Sequence, residues 1–163
     1  VHYFTFELWC KFSSENEQER KQADIQWDEN SKAYWQIFEQ LKARMSKKTF
    51  EFFTNEGFHD FHIKNLEMIH GDYKMKNPIE VVLTVTNAVD TWKLTYKCVE
   101  RFEVNYNIAN TSSLSFHNGF DDWGYDELLA VNEGILSHEI LFASGATILI
   151  HFPNGKINLH KIE

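Results

Sequence analysis

Glu56-Gly57-Phe58-His59-Asp60-Phe61-His62-Ile63 is the stretch where the period of the apolar residues changes. Before it they recur at helical spacing; after it they alternate as along a half-buried strand. Glycine takes the left-handed conformation that ends a helix at little cost, so Gly57 marks the joint.

Upstream of the joint, Lys47 to Asn55 predicts a short helix burying Phe50 and Phe53. From Trp27, the residues Tyr34, Ile37, Phe38, Leu41 and Met45 follow the i, i+3, i+4, i+7 rule of one buried stripe. Asp28, Asn30 or Ser31 offers a capping oxygen for that helix. Such an aromatic stripe reads as core packing rather than as a ligand groove. Tyr3 to Phe12, with Phe4, Leu8 and Phe12 four apart, predicts a further short helix. The polar stretch Glu15 to Asp24 fits a solvated helix and a loop equally.

Downstream, Phe61 and Ile63 and then Leu66 and Met68 imply a strand with a bulge near Asn65, because one extra residue reverses which face points inward. Val81, Leu83 and Val85 pair by pattern with Trp92, Leu94, Tyr96 and Cys98 across the turn Asn87-Ala88-Val89-Asp90. A strand through Phe102, Val104, Tyr106 and Ile108 follows, then a Ser/Thr/Asn-rich segment, Asn110 to Gly119, that reads as a mobile surface loop. Further strands over Trp123 to Val131, Leu136 to Phe142, Ala146 to Phe152 and Lys156 to Ile162 are punctuated by turn residues. Of these, Asn154-Gly155 is the strongest hairpin signal. The expectation is an α+β fold in one domain, 1–163, with a helical cover (1–57) on an antiparallel β body (58–163) built as a meander, sandwich or partly closed barrel.

The chain has 163 residues and a net charge of −8, with 43% hydrophobic and 15% aromatic residues, enough apolar area for an ordinary core. Fourteen acids against eight bases after Gly57 place most of the negative charge in the β body. No Lys/Arg run exceeds Lys47-Lys48, so the positive field that nucleic acid binding needs is missing. An acidic surface suits a basic protein partner. Cys10 and Cys98 stand far apart, without the spacing of a disulfide framework or a zinc knuckle. The first residues lack the basic and apolar regions of a signal peptide, and no apolar run would span a bilayer. A reducing cytoplasm is therefore the expected location, and no membrane partner is expected. An exposed edge strand would leave room for a homodimer.

Three polar groupings invite chemistry. Asp60 and His62 would share one face of a strand, and with His138 they would supply the three ligands of a metal-dependent hydrolase. His59 and His62 would point to opposite faces, and the more economical reading is that His59-Asp60 fixes the helix-to-strand turn. The His-Asp dipeptide lacks the helical context of His-Asp phosphohydrolases, and His138-Glu139 is not followed by the second His of a zincin helix. Asp121, Asp122, Trp123, Tyr125 and Asp126 form an acidic and aromatic segment suited to docking a partner, since aromatics anchor interfaces. Motifs for an activated serine, a reactive cysteine, a P-loop or a dinucleotide-binding turn are all missing. No cofactor is expected.

Phe58-His59-Asp60 before a strand, Val82-Leu83-Thr84-Val85, Leu94-Thr95-Tyr96, and His138-Glu139-Ile140-Leu141-Phe142 leading into Ile148-Leu149-Ile150 together resemble small uncharacterised proteins of Gram-positive bacteria. Some bacterial proteins of this style are immunity partners of secreted toxins. The resemblance therefore implies an immunity-type role and carries over no site residues, while the acidic body, the acidic and aromatic residues 121–127 and the lack of a complete catalytic motif point to a non-enzymatic interaction module. A metal-dependent hydrolase using Asp60, His62 and His138 is one alternative. A small-ligand carrier with its pocket between helices and sheet is another.

Overall fold

The computed structural model describes residues 1–109 and 114–162. Helices α1 (Phe6–Phe12), α2 (Glu17–Glu39) and α3 (Lys47–Asn55) precede eight antiparallel strands: β1 (His62–His70), β2 (Ile79–Thr86), β3 (Thr91–Tyr96), β4 (Arg101–Asn105), β5 (Trp123–Ala130), β6 (Ile135–Phe142), β7 (Thr147–Pro153) and β8 (Ile157–Ile162). The strands form two four-stranded sheets, ordered β1-β2-β3-β8 and β4-β7-β6-β5, so the α+β body is a sandwich and does not close into a barrel.

Each helix starts on a side-chain cap that satisfies otherwise orphaned amides. Thr5 Oγ1 accepts from Leu8 N at 3.2 Å, and Ser46 Oγ accepts from Thr49 N at 3.1 Å. Asn16 Oδ1 accepts from Gln18 N at 3.0 Å and Glu19 N at 3.1 Å. The last of these corrects the expected start at Asp28, Asn30 or Ser31: α2 begins at Glu17 and absorbs the polar stretch. A good cap and the i,i+4 pairs Lys21–Glu17 and Lys32–Asp28, both 2.7 Å, carry a helix where no apolar stripe announces one. The stripe itself outlasts the helix. Tyr34 and Phe38 lie on α2, whereas Leu41 and Met45 stay buried beyond its end, flanking a short 3-10 turn at Lys42–Arg44. Gly57, at φ 69°, ends α3 as expected, with the amides of Glu56 and Gly57 both on Phe52 O.

In the first sheet, the register shift between Ile63 and Asn65 is the expected bulge. The β2–β3 hairpin aligns Val85 with Trp92, Leu83 with Leu94 and Val81 with Tyr96. Cys98 is not part of that face: it sits past β3 with φ 54°, where the chain leaves the first sheet for the second. The next strand is shorter than the alternation suggested, ending at Asn105, with Tyr106 and Ile108 exposed beyond it. The second correction concerns Asn154-Gly155. It is no hairpin, because β7 and β8 lie in different sheets. Only Gly155 of the pair has positive φ, and the turn is held by Arg44, whose Nε donates to Asn154 Oδ1 at 2.9 Å while its carbonyl accepts from Gly155 N at 2.8 Å. A type I′ reversal needs positive φ at both centres, so here the turn changes sheets.

Helix α3 sits where the two sheets face each other: Phe52 packs on Trp92 of the first sheet at 4.7 Å, and Phe53 on His138 of the second at 5.2 Å. Phe38 of α2 stacks on Phe50 of α3 at 4.9 Å. One hydrophobic cluster thus runs from the helices through both sheets. Among the described residues, no helix is long and apolar enough to cross a membrane.

Candidate functional site

The start of β5 organises the polar chemistry of the molecule. Trp123 N donates to Phe61 O at 2.6 Å, and Asp60 N donates to Trp123 O at 3.0 Å, so the backbone of β5 clamps the turn that leads into β1. Asp60 holds φ 65° there. The turn-fixing role of His59-Asp60 is therefore real, but backbone and imidazole perform it: the Asp60 side chain is 78% exposed, and His59 Nδ1 donates to Gly124 O at 2.6 Å. This leaves His59 Nε2 at 3.5 Å from Asp60 Oδ1.

One residue later β5 bulges at Gly124. The Trp9 ring of α1 lies only 2.2 Å from where a Cβ on Gly124 would stand, so no larger residue fits unless that ring moves. The bulge turns Tyr125 towards the helices, where its ring meets Trp27 at 4.5 Å, Trp9 at 5.1 Å and His59 at 5.4 Å. A cleft of about 420 Å³ opens there between α2, the end of α3 and β5. Its aromatic walls are Trp27, Trp35, Tyr125 and the edges of Phe4, Tyr34, Phe53 and Phe58; Ser31, Glu56, His59 and Asp126 supply its polar groups. Burial, and secondarily the Asp60 charge, hold the Tyr125 hydroxyl above its ordinary pKa.

Asp126 ties this cleft to the core. Its carboxylate accepts from Trp123 Nε1 at 3.1 Å and from His138 Nε2 at 2.7 Å, and His138 Nδ1 meets the Tyr96 hydroxyl at 2.7 Å across the sandwich. A carboxylate only accepts, so Nε2 of His138 bears a proton; in the neutral ring Nδ1 then accepts from Tyr96. Burial first and the Asp126 charge second push the Tyr96 hydroxyl far above the ordinary tyrosine pKa, which keeps it a donor. Tyr34 OH accepts the Leu128 amide at 3.0 Å beside the same carboxylate.

The residues singled out from sequence part company here. Tyr125 and Asp126 line the cleft. Trp123 is fully buried, and as an exposed interface anchor it is corrected: its indole is a core group whose N–H serves Asp126. Asp121 is likewise buried and inward-turned. Its Oδ2 accepts from Ser115 Oγ, Phe116 N and His117 N, and its Oδ1 from Asp122 N. Burial alone would raise its pKa, but these hydrogen bonds outweigh burial and hold the carboxyl below the usual range. Asp122, half-buried, lines a different hollow of about 450 Å³ together with His62 and His117. Of the segment expected to be a mobile loop, residues 110–113 lie outside the described residues; Leu114 to Gly119 follows an irregular path pinned by Asp121.

Asp60, His62 and His138 do not assemble. His138 is fully buried with both ring nitrogens engaged, His62 is exposed, and Asp60 lies in the turn before β1 rather than on a shared strand face. Among the described residues, the grouping whose ligand atoms lie within 4.8 Å of one another is His117, Asp121 and Asp122. The four hydrogen bonds on Asp121 account for that carboxylate without an ion.

Two features escape sequence reasoning: the anchoring role of Glu127, which the sequence shows only as one more acid of the 121–127 cluster, and the place of Trp35. Glu127, almost fully buried, accepts from the amides of His2, Tyr3 and Phe4 at 2.6, 2.6 and 2.8 Å and so fastens the segment before α1 to β5. Trp35 stands beside the buried stripe of α2 yet is 41% exposed at the cleft. A tryptophan out of phase with its helix's apolar face was the available signal. No family model, curated protein or solved structure matches this chain.

Proposed function

We propose that this protein is a non-enzymatic interaction module that receives a basic protein partner at the cleft between its helices and β5, an immunity-type role being one form of it. The supporting observation is the lining: aromatic rings, with Trp35 exposed and Trp27 and Tyr125 half-buried, two carboxylates, Glu56 and Asp126, and, among the described residues, neither Lys nor Arg. Aromatic side chains ringed by polar groups are the usual anchors of interfaces. The net charge of −8 favours encounter with a basic surface. In this reading the protein works in a reducing cytoplasm, consistent with its two unpaired cysteines, Cys10 and Cys98.

The hydrolase built on Asp60, His62 and His138 finds no support in the geometry, since those groups do not converge. A small-ligand carrier would use the same cleft, but an open mouth with a carboxylate at its rim suits a protruding side chain better than an enclosed cargo. Affinity capture from the native cells tests the proposal, comparing the wild type with a Tyr125→Ala/Glu56→Gln double variant. A basic protein retained by the wild type and lost by the variant is the expected result. Retention that is indifferent to the two substitutions would contradict it.

A further inference from the structure

Resting on the reading of the cleft as a partner site, we infer that the cleft is built to take one arginine side chain, its guanidinium stacked on aromatic rings and forked onto Asp126. Three features of the lining converge on this ligand.

First, aromatic surface is offered at the cleft. Trp35 stands 41% exposed there, beside the half-buried Trp27 and Tyr125, whose own rings meet edge to face at 4.5 Å. A planar, weakly hydrated cation stacks on such rings, and the attraction grows where water is partly excluded.

Second, the carboxylate is pre-set. The Asp126 side chain is only 17% exposed, and each oxygen accepts one hydrogen bond from inside, from Trp123 Nε1 and His138 Nε2. A carboxylate has about four acceptor positions, so both oxygens keep capacity for the two parallel N–H groups of a guanidinium. The internal bonds hold the group in one orientation, so little side-chain entropy is lost on binding.

Third, among the described residues the cleft lining itself supplies no Lys or Arg. Glu56 lies at the rim, its carboxylate unpartnered among the described residues, and the one ionisable nitrogen base in the lining, His59, has Nδ1 committed to Gly124 O. An ammonium would satisfy the charge but neither the stacking nor the fork, which favours arginine over lysine.

The test is a ¹H–¹⁵N titration with N-acetyl-arginine methylamide, run beside its lysine and citrulline analogues. The expected result is a shift of the Trp27 and Trp35 indole signals with millimolar affinity, about tenfold weaker for the uncharged, isosteric citrulline. Lysine is expected to fall between them. Glu56→Gln, at an exposed site that the fold does not need, is expected to weaken arginine binding about threefold with unchanged thermal melting. Asp126→Asn is expected to shrink the difference between arginine and citrulline to about the threefold that Glu56 supplies. Equal binding of arginine and citrulline, equal binding of arginine and lysine, or shifts confined to residues outside the cleft would each overturn the inference. If arginine fails while partner capture still depends on Tyr125 and Glu56, the arginine assignment falls and the interaction-module reading stands. If both fail, both fall.

Discussion

Asp121 and Asp126 stand at opposite ends of one acidic, aromatic stretch of sequence, and the fold uses them in opposite ways. Asp121 turns inward and spends its carboxylate on four hydrogen bonds from residues 115–117 and 122, fixing a loop. Asp126 accepts one internal bond on each oxygen and lines an aromatic cleft. Glu127 repeats the first pattern on three amides near the chain start. The acids of this segment thus differ in how many of their lone pairs the protein's own donors fill.

This contrast gives an order of effects. The largest falls on Glu127: Glu127→Ala removes the buried carboxylate from three amides and is expected to cost about 3–5 kcal/mol in chemical denaturation. A loss under about 1 kcal/mol would mean that water replaces the carboxylate and that the acid is no anchor. Gly124→Ala comes next. The Trp9 ring occupies the space of the new methyl group, so a loss of about 2–3 kcal/mol is expected, with altered near-ultraviolet circular dichroism as Trp9 moves off Tyr125.

Asp121→Asn is expected to lose about 1–3 kcal/mol at neutral pH by weakening charge-assisted hydrogen bonds. Because the folded pKa of Asp121 is depressed, its stabilisation is fully present above the unfolded value and is lost as pH falls through the folded one. The variant's acid-denaturation profile is therefore expected to be flatter than the wild type's below about pH 4. A parallel profile would remove Asp121 from the list of structural acids. The smallest stability effect belongs to Glu56→Gln, within about 0.5 kcal/mol of the wild type, although the same change is expected to weaken arginine binding.

Sequence patterning revealed most of the framework because the framework depends on periodicity. The α3 limits, the Gly57 stop, the β1 bulge and the β2–β3 register all follow from apolar spacing and one glycine. Features decided by polar capping or by long-range pairing did not show. Asn16 started α2 in a stretch with no apolar stripe, and Asn154-Gly155 changed sheets because Arg44, remote in sequence, held it. The candidate site was half readable. Tyr125 and Asp126 of the acidic, aromatic segment line the cleft, but Trp123 lies in the core, where its indole N–H serves Asp126. The walls from α2 come from a distant stretch of chain, and only the folded arrangement brings Trp27 and Trp35 to Tyr125.

A crystal structure of the protein with N-acetyl-arginine methylamide would set the two ends of the segment against each other in one experiment. The division drawn between them predicts the guanidinium in the cleft lined by Trp27, Trp35 and Tyr125 with both Asp126 oxygens in hydrogen-bond range, and Asp121 still bonded only to its own loop. A ligand bound instead at Asp121 and Asp122, with the cleft empty, would contradict it.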